Sequence, residues 1–312
     1  MVATVGHRDV QENMKRWVID PVRRLVVSRP AGLMGILNVT PDSFSDGGLH
    51  LTVDAAVTAG IAMVRDGATW LDVGGESSRP GAEPVSPAIE CQRVVPVIAA
   101  LRAAGITAPI SIDTTKADVA EAALAAGASA VNDISAGGDP AMFPLIARQA
   151  CPVVLMHMQG TPRTMQVAPT YTNVVDDVCT SLERQLSKAL AAGITESAIM
   201  LDPGIGFGKT LEHNLALLRA LPRLHATFSR PLVVGVSRKS LISALVGQPL
   251  STSSRDAASH ILHALIAEHC ALLRVHDVAG ARHALTLAQA WHGSADLGSA
   301  DLGSADRGAH AL

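Results

Sequence analysis

Residues 34–48 of this chain read MGILNVTPDSFSDGG. The segment begins with a short apolar run, which predicts a buried strand, and continues after Asn38 into a loop rich in carboxylates and hydroxyls. A strand that leads directly into such a loop is typical of one wall of an active site in an α/β enzyme. The alternative is a polar loop with a purely structural role. The residues after Asn38 favour a mobile lid that handles an anion or a metal together with a flat ring.

Similar strand-like runs recur along the chain. They lie at residues 33–38, 70–73, 109–112, 129–131, 153–156, 198–201, 232–235 and 272–275. Each is followed by a segment with helical spacing of apolar residues, most clearly at 53–64, 89–101, 119–126 and 174–190. This alternation predicts the α/β class and a single (β/α)₈ TIM barrel. A doubly wound open sheet is the alternative, but no GxGxxG motif follows the first strand.

The composition excludes several classes of protein. Apolar residues make up 48% of the chain, and the net charge of −3 gives no electrostatic basis for binding nucleic acid. The four cysteines are far apart and form no CxxC pair, which favours reduced thiols. The sequence has neither a long uncharged apolar run nor the pattern of a signal peptide. These features predict a cytoplasmic protein with no membrane partner.

The two ends of the chain differ from the region between them. Residues 1–31 are predicted to be an N-terminal extension, partly ordered against a barrel that spans residues 32–292. Residues 293–312 repeat the motif GSAD three times. Gly, Ser, Ala and Asp bury too little surface to offset the entropy lost on ordering, so this segment is predicted to be a disordered tail.

Polar residues follow nearly every predicted strand. In a TIM barrel the carboxyl ends of all strands meet at one face, and catalysis takes place there. A single polar strand end is ordinary helix capping, but eight of them predict a site. The residues concerned lie at 38, 74–81, 111–114, 132–133, 157–160, 202–209, 237–239 and 274–277.

The residue types indicate the ligands. Asp113, Asn132 and Asp202 suit a flat heterocycle that carries amino and ring N–H donors, and Lys239 could neutralise one acid and donate to a ring carbonyl. A structural ion-pair network is the alternative. A second group suits pyrophosphate, because guanidinium groups donate in a fork and glycine-rich loops offer N–H groups; it comprises Arg79, Arg274, His276, Ser77 and Ser78.

Other residues have less specific signals. Asn38 and Asp46 could supply oxygen ligands to Mg²⁺, which uses few protein ligands together with substrate phosphates. Phe207 could form a wall against a ring or could simply pack. His157 follows a predicted strand and could belong to the site or could simply cap backbone carbonyls. Residues 206–210 read GFGKT but lack the full spacing of a phosphate-binding loop, so no nucleoside triphosphate site is predicted.

Taken together, the motifs closely resemble those of the dihydropteroate synthase family over residues 33–292. The matching stretches are 35–48, 72–81, 111–114, 132–133, 156–162, 202–209, 237–239 and 274–278. The resemblance implies a (β/α)₈ barrel, a homodimer and a Mg²⁺ cofactor. It also implies that 6-hydroxymethyl-7,8-dihydropterin pyrophosphate and p-aminobenzoate are the substrates. The products would be 7,8-dihydropteroate and pyrophosphate.

The resemblance also implies a role for individual residues. The pterin would be held by Asp113, Asn132, Asp202, Phe207, Lys239 and Arg274. Pyrophosphate would be held by Asn38, Ser77, Ser78, Arg79, Arg274 and His276, with Asn38 also contacting Mg²⁺. The p-aminobenzoate region would comprise Phe44, Ser78, Pro80, Ser237 and Lys239. Asp113, Lys239, Arg274 and the loop residue Asp46 would serve catalysis. The ordinary pattern around Phe44 and Pro80 implies inhibition by sulfonamides.

The implied reaction is an SN1-like substitution with the arylamine as nucleophile. Two alternatives remain open at this point. A pterin-dependent methyltransferase would share the buried acids, although it has no pyrophosphate for Arg79 to hold. A non-catalytic pterin-binding paralogue could dispense with Asn38, Asp46 and Arg79.

Overall fold

A computed structural model describes residues 16–20, 22, 25–29, 31–40 and 49–292. The predicted tail and the part of the first loop that contains Phe44 and Asp46 lie outside the described residues. Of the predicted N-terminal extension, the described part is an antiparallel hairpin of two strands, β1 (Arg16–Asp20) and β2 (Leu25–Ser28).

Eight parallel strands follow and form a nearly closed barrel, which confirms the predicted (β/α)₈ architecture. They are β3 (Gly32–Asn38), β4 (Trp70–Gly74), β5 (Ile110–Asp113), β6 (Ala130–Asp133), β7 (Val153–Met156), β8 (Ile199–Asp202), β9 (Val233–Gly235) and β10 (Leu272–Val275). The strands are paired in sequence order from β3 to β8, and β10 lies between β3 and β9. Among the described residues, β8 and the β9 side are joined by one isolated bridge, between Leu201 and Leu232.

Helices surround the strands on the outside. They are α1 (Leu49–Arg65), α2 (Pro87–Ala103), α3 (Ala117–Ala125), α4 (Met142–Gln149), α5 (Val174–Ala191), α6 (Leu211–Arg219), α7 (Leu221–Phe228), α8 (Ser240–Val246), α9 (Thr252–Ile266) and α10 (Val278–Trp291). Short 3₁₀ turns lie at Glu196–Ala198 and Ala267–His269. Several helices begin at a side-chain cap, such as Ser86 before α2 and Asp277 before α10, which satisfies otherwise unpaired N–H groups.

The strand register places polar residues at the same height. Asn38 lies opposite Gly74, Gly74 opposite Asp113, and Asp113 opposite Asn132. Because these strands are parallel, their carboxyl ends form one rim of the barrel. This rim is the barrel mouth.

An apolar layer fills the opposite end of the barrel. Ile19 and Val27 of the hairpin are buried there and pack in one cluster with Met34, Trp70, Ala130, Val154, Met200, Val233 and Leu272. Side chains two residues apart on a strand point in the same direction. The next inward positions toward the mouth therefore include Asp72, Asn132, Asp202 and Arg274. On each of these strands, the inward-facing side chain is apolar at the floor and polar or charged two residues later, toward the mouth.

Candidate active site

An arginine held by two carboxylates lies at the centre of the barrel mouth. Arg274 on β10 donates from Nε to Asp72 and from a terminal nitrogen to Asp113. Asp72 also accepts from Asn132 Nδ2 at 3.1 Å and from Ser111 Oγ at 2.5 Å. Asp72 is completely buried, so both of its oxygens depend on these partners. The network links β4, β5, β6 and β10 across the barrel.

The charges of this network determine its pKa values. Burial raises the pKa of Asp113 to about 7, although attraction to Arg274 acts in the opposite direction. Burial by itself would lower the pKa of Arg274, but attraction to Asp72 and Asp113 outweighs it and raises the pKa above the usual range. Arg274 therefore stays charged, whereas Asp113 can change its protonation state near neutral pH. A perturbed acid at the mouth of a barrel is a feature of functional sites.

A second group of residues lies around the sixth βα loop, residues 203–210. Asp202 Oδ1 accepts from Gly204 N at 2.6 Å, and burial raises the pKa of Asp202 while attraction to Lys239 lowers it. Lys239 Nζ donates to Ile205 O and lies 4.5 Å from the centroid of the Phe207 ring. Burial lowers the pKa of Lys239 to about 8. This arrangement places a cation, a carboxylate and an aromatic face around one space.

Ser237 and His276 form a third contact at the mouth. Ser237 Oγ accepts from His276 N at 3.2 Å and lies 3.0 Å from His276 Nδ1. Burial, together with the positive charges of Arg238 and Arg274, lowers the pKa of His276 to about 3. His276 is therefore neutral at physiological pH and can act as a hydrogen-bond partner without adding charge.

The second βα loop, residues 75–86, carries the predicted Ser77, Ser78, Arg79 and Pro80. Arg79 and Pro80 are exposed, and Arg79 N donates to Ser77 Oγ at 3.4 Å. The loop is held at its base, where Arg93 donates to Gly75 O at 2.6 Å, and in its middle, where Gly81 N donates to Pro162 O at 3.1 Å. Arg79 and Pro80 lie exposed between these two contacts.

Asn38 ends β3 at the rim of the mouth. Within the described ranges its side chain makes no hydrogen bond, and an amide oxygen at this position can accept a hydrogen bond or ligate a cation. Phe44 and Asp46, predicted on the same first loop, belong to residues 41–48, which lie outside the described part of the chain. No group of three or more His, Cys, Asp or Glu side chains suited to a metal occurs in the described ranges.

Sequence reasoning did not single out two residues that the structure places in this region. Asp72 lies in the predicted strand 70–73 and begins the matching stretch 72–81, but it was given no role in the site, although Trp70 two positions earlier also points into the barrel. Lys209, in the GFGKT segment, is 3% exposed and donates to Gly204 O and Phe207 O, both at 2.9 Å. Its ammonium therefore binds protein backbone. His157, undecided from sequence, lies 3.0 Å from Lys209 Nζ.

Within the described part of the chain, no helix combines the length and the hydropathy that crossing a membrane requires. This observation agrees with the absence of a long apolar run in the sequence.

Comparison with known proteins gives consistent matches. A family model described as "Pterin binding enzyme" matches residues 34–276. The chain is 47% identical over 270 residues to a dihydropteroate synthase of Mycobacterium leprae, a match that covers 84% of this chain and 94% of that protein.

Solved structures agree with this. One is a Xanthomonas albilineans dihydropteroate synthase with 4-aminobenzoic acid, with a TM-score of 0.81 and 43% identity, covering 89% of this chain and 98% of that one. Another is a Yersinia pestis dihydropteroate synthase in a sulfonamide drug complex, with a TM-score of 0.77 and 42% identity, covering 84% and 94% of the two chains.

Proposed function

Because the chain belongs to the family of pterin binding enzymes, we propose that it catalyses the dihydropteroate synthase reaction. It joins 6-hydroxymethyl-7,8-dihydropterin pyrophosphate to p-aminobenzoate and produces 7,8-dihydropteroate and pyrophosphate. The observation that carries the proposal is the buried network of Arg274 with Asp72 and Asp113 at the barrel mouth. The relatives named above favour this reaction over a pterin-dependent methyltransferase.

The pterin binds in the deep part of the mouth. A pterin ring has an amino group and ring N–H groups on one edge and a carbonyl oxygen on another. Carboxylate and amide oxygens complement the first edge, and an ammonium group complements the second. The groups that we assign to the ring are Asp113, Asn132, Asp202, Phe207, Lys239 and Arg274. Burial of Asp113 and Asp202 strengthens each of these hydrogen bonds, since little water competes for them.

The pyrophosphate binds nearer to the rim. We assign it to Asn38, Ser77, Ser78, Arg79, Arg274 and His276, which supply neutral and charged donors. The amide oxygen of Asn38, at the rim of the mouth, suits a Mg²⁺ ion that is held mainly by substrate phosphates. When bound, Mg²⁺ neutralises charge on the leaving pyrophosphate.

We assign p-aminobenzoate to the second βα loop and the seventh strand end, with Phe44 from outside the described residues. The assigned residues are Phe44, Ser78, Pro80, Ser237 and Lys239. The exposed Pro80 offers an apolar surface for an aryl ring, and Lys239 offers a cation at the seventh strand end. Sulfonamides carry a similar aniline ring, and one binds the Yersinia pestis relative. We infer that sulfonamides compete with p-aminobenzoate in this chain as well.

The residues promote an SN1-like substitution. Arg274 and His276 bind the leaving group, and Arg79 closes over it from the second loop. The ionised Asp113 and Asp202 stabilise positive charge as it develops on the pterin. The amine of p-aminobenzoate is neutral at pH 7, so its attack needs no strong general base. The first two loops, with Asp46, exclude water that would otherwise capture the cation.

The reaction is tested by measuring release of pyrophosphate from the purified chain with Mg²⁺. Release should require both the pterin substrate and p-aminobenzoate, and a sulfonamide should inhibit it competitively with p-aminobenzoate. Asp113→Asn should lose most activity, whereas Asp118→Asn, on the exposed surface of α3, should keep it. Methyl transfer without pyrophosphate release would support the methyltransferase alternative, and pterin binding without turnover would support the paralogue.

We further propose that the chain forms a homodimer through α9 and α10. These helices pack against each other and expose an apolar face made of Ile261, Leu265, Leu287 and Trp291, each at least 66% exposed. Large apolar side chains exposed together on two packed helices are typical of an interface. In a dimer with two-fold symmetry the same surface of both subunits forms the interface, and this apolar face could pack against its own copy.

A further inference from the structure

Lys209 is a buried cation that the proposed chemistry does not use. Its Nζ lies 2.9 Å from Gly204 O, 2.9 Å from Phe207 O and 3.0 Å from His157 Nδ1. An ammonium group has three N–H donors, and this site provides three close acceptors. Burial lowers the pKa of Lys209 to about 7, while attraction to Asp202 raises it. Burial of a charged group is costly unless hydrogen bonds compensate for the lost water, so each of these acceptors stabilises the buried ammonium.

The loop that Lys209 binds is pressed against the fifth βα loop, residues 157–173. Gly204 has φ of +69°, and a Cβ atom there would lie 1.8 Å from His157 O. Gly208 has φ of +64°, and its Cβ would lie 2.6 Å from Gln159 O. Both positions therefore require glycine, because of the backbone conformation and because of the lack of space. The two loops meet by direct backbone contact.

Other side chains hold the same loop at separate points. Tyr171 Oη donates to Gly208 O at 2.7 Å, and Gln166 Nε2 donates to Gly206 O at 2.8 Å. Asn214 Oδ1 accepts from Gly206 N at 2.6 Å. The shape of the loop is thus set by partners around it, and Lys209 supplies the charged contact at its centre.

This loop controls three of the groups that face the pterin. Gly204 N donates to the Asp202 carboxylate, Ile205 O accepts from Lys239, and the Phe207 ring lies under the Lys239 ammonium. The two carbonyls bound by Lys209, those of Gly204 and Phe207, lie on either side of Ile205. Loss of the ammonium would free the backbone on both sides of the Lys239 contact.

We propose that Lys209 is a positioning residue for the pterin, fixing the 204–208 backbone so that Asp202, Lys239 and Phe207 keep their places around the ring. The inference rests on the proposed function, because it takes the pterin as the ligand of these three groups. It assigns Lys209 no contact with either substrate. Its effect falls mainly on the pterin, because Asp202 and Phe207 are assigned to the pterin alone and only Lys239 is shared with p-aminobenzoate.

The test is Lys209→Met, which keeps the length of the side chain and removes its donors, with Lys188→Met on the exposed surface of α5 as the control. Calorimetry measures the Kd of 6-hydroxymethylpterin, and steady-state kinetics measure KM for each substrate. Loss of buried charged hydrogen bonds should raise the pterin Kd and the pterin KM by about tenfold or more. The KM for p-aminobenzoate at saturating pterin should rise by a clearly smaller factor, because only one of the three positioned groups, Lys239, is also assigned to p-aminobenzoate.

A second variant keeps the test decisive if Lys209→Met does not fold. Tyr171→Phe removes only the hydroxyl bound to Gly208 O and should weaken pterin binding in the same direction but less. A folded Lys209→Met with wild-type pterin affinity would overturn the proposal, as would equal losses for both substrates. If the wild-type chain itself did not bind the pterin, the proposed function would fail instead.

Discussion

At the scale of single residues, Asp72 joins three side chains of the barrel mouth. It accepts hydrogen bonds from Ser111, Asn132 and Arg274 and has no access to water. Asp72→Asn would leave Arg274 paired only with Asp113. Since loss of one partner of a buried ion pair costs about 3–5 kcal/mol, we expect kcat/KM for the pterin substrate to fall by at least about a hundredfold. Pyrophosphate release kinetics would measure the loss.

The matched control is an ion pair at the surface. Arg148 and Glu121 are 2.9 Å apart, with side chains 59% and 56% exposed. Glu121→Gln should change the free energy of unfolding by about 1 kcal/mol or less and leave turnover intact. If Asp72→Asn resembled this control in both measurements, the central role of Asp72 would have to be abandoned.

The pH dependence of pterin binding follows from two shifted groups. Asp113 has a pKa of about 7, so its carboxylate forms, and accepts from the ring, as pH rises through that value. Lys239 has a pKa of about 8 and loses its donor charge above that value. Since kcat/KM reports the free enzyme, its profile for the pterin substrate should be bell-shaped, with a maximum between these values.

The two limbs belong to the coupled site rather than to isolated residues. Lys209, with a pKa of about 7, deprotonates over the same range and should make the rising limb shallower. Measurement between pH 5.5 and 9.5 would reveal the bell. A profile that is flat across this range would contradict the assignment of Asp113 and Lys239 to the ring.

Sequence reasoning reached Asp113, Asn132, Asp202 and Arg274 because each ends or nearly ends a predicted strand. Asp72 was missed because it lies two residues before the end of β4 and was absorbed into an apolar run. Because side chains alternate along a strand, Asp72 faces the same way as Trp70, into the barrel, and it pairs with Ser111 of the next strand. The burial of Lys209 had no such local signal, since its acceptors include His157, which is 52 residues away in the chain.

At the scale of elements, the N-terminal hairpin closes the end of the barrel opposite the site. Ile19 is 1% exposed and packs among the side chains of the barrel floor. Ile19→Ala should lower the free energy of unfolding by about 2–5 kcal/mol because it leaves a cavity. The KM values should stay unchanged, since the floor is at the other end of the barrel. Urea unfolding and steady-state kinetics would check both expectations.

Val22→Ala is the corresponding control, because Val22 lies between the two strands and is 88% exposed. It should change the free energy of unfolding by about 0.5 kcal/mol or less. Equal effects of the two substitutions would mean that the hairpin adds no stability to the barrel.

Predicted elements agree closely with the observed ones where the apolar period is strong. The predicted helix 174–190 is Val174–Ala191, and the predicted helix 53–64 begins four residues earlier, at Leu49. The early start could not be seen in the apolar pattern, because LHLT lacks a helical period. The pairing of Val18 with Val26 in the hairpin was not predicted either. Such short strands depend on the barrel floor beneath them.

At the scale of the whole molecule, the apolar face of α9 and α10 is tested by changing its charge. The double variant Leu265→Glu, Leu287→Glu should sediment as a monomer, because two copies would bury four unpaired carboxylates against each other. Val167→Glu is the control, since Val167 is 77% exposed but lies on the fifth loop. A dimer that survives the double substitution would place the interface elsewhere.

The convergence of eight strand ends could be predicted from sequence because parallel barrels leave no other arrangement. The positions of the loops above the mouth could not. Contacts such as Gly81 N to Pro162 O join residues far apart in the chain through backbone atoms, which have no sequence signature.

Among the described residues, the isolated bridge between Leu201 and Leu232 is the weakly paired junction at which the barrel closes, between β8 and β9. Asp202 lies on one side of this junction and Lys239 on the other. A pterin that contacts both residues would therefore link the two edges of the barrel. Breathing motions should open the barrel at this junction first, and the Leu201 amide, bound to Pro231 O at 3.0 Å, should exchange its hydrogen early. Adding the pterin should slow that exchange more than the exchange of amides between β4 and β5. Mass spectrometry of deuterium uptake would detect pterin binding as slower exchange at the junction between β8 and β9.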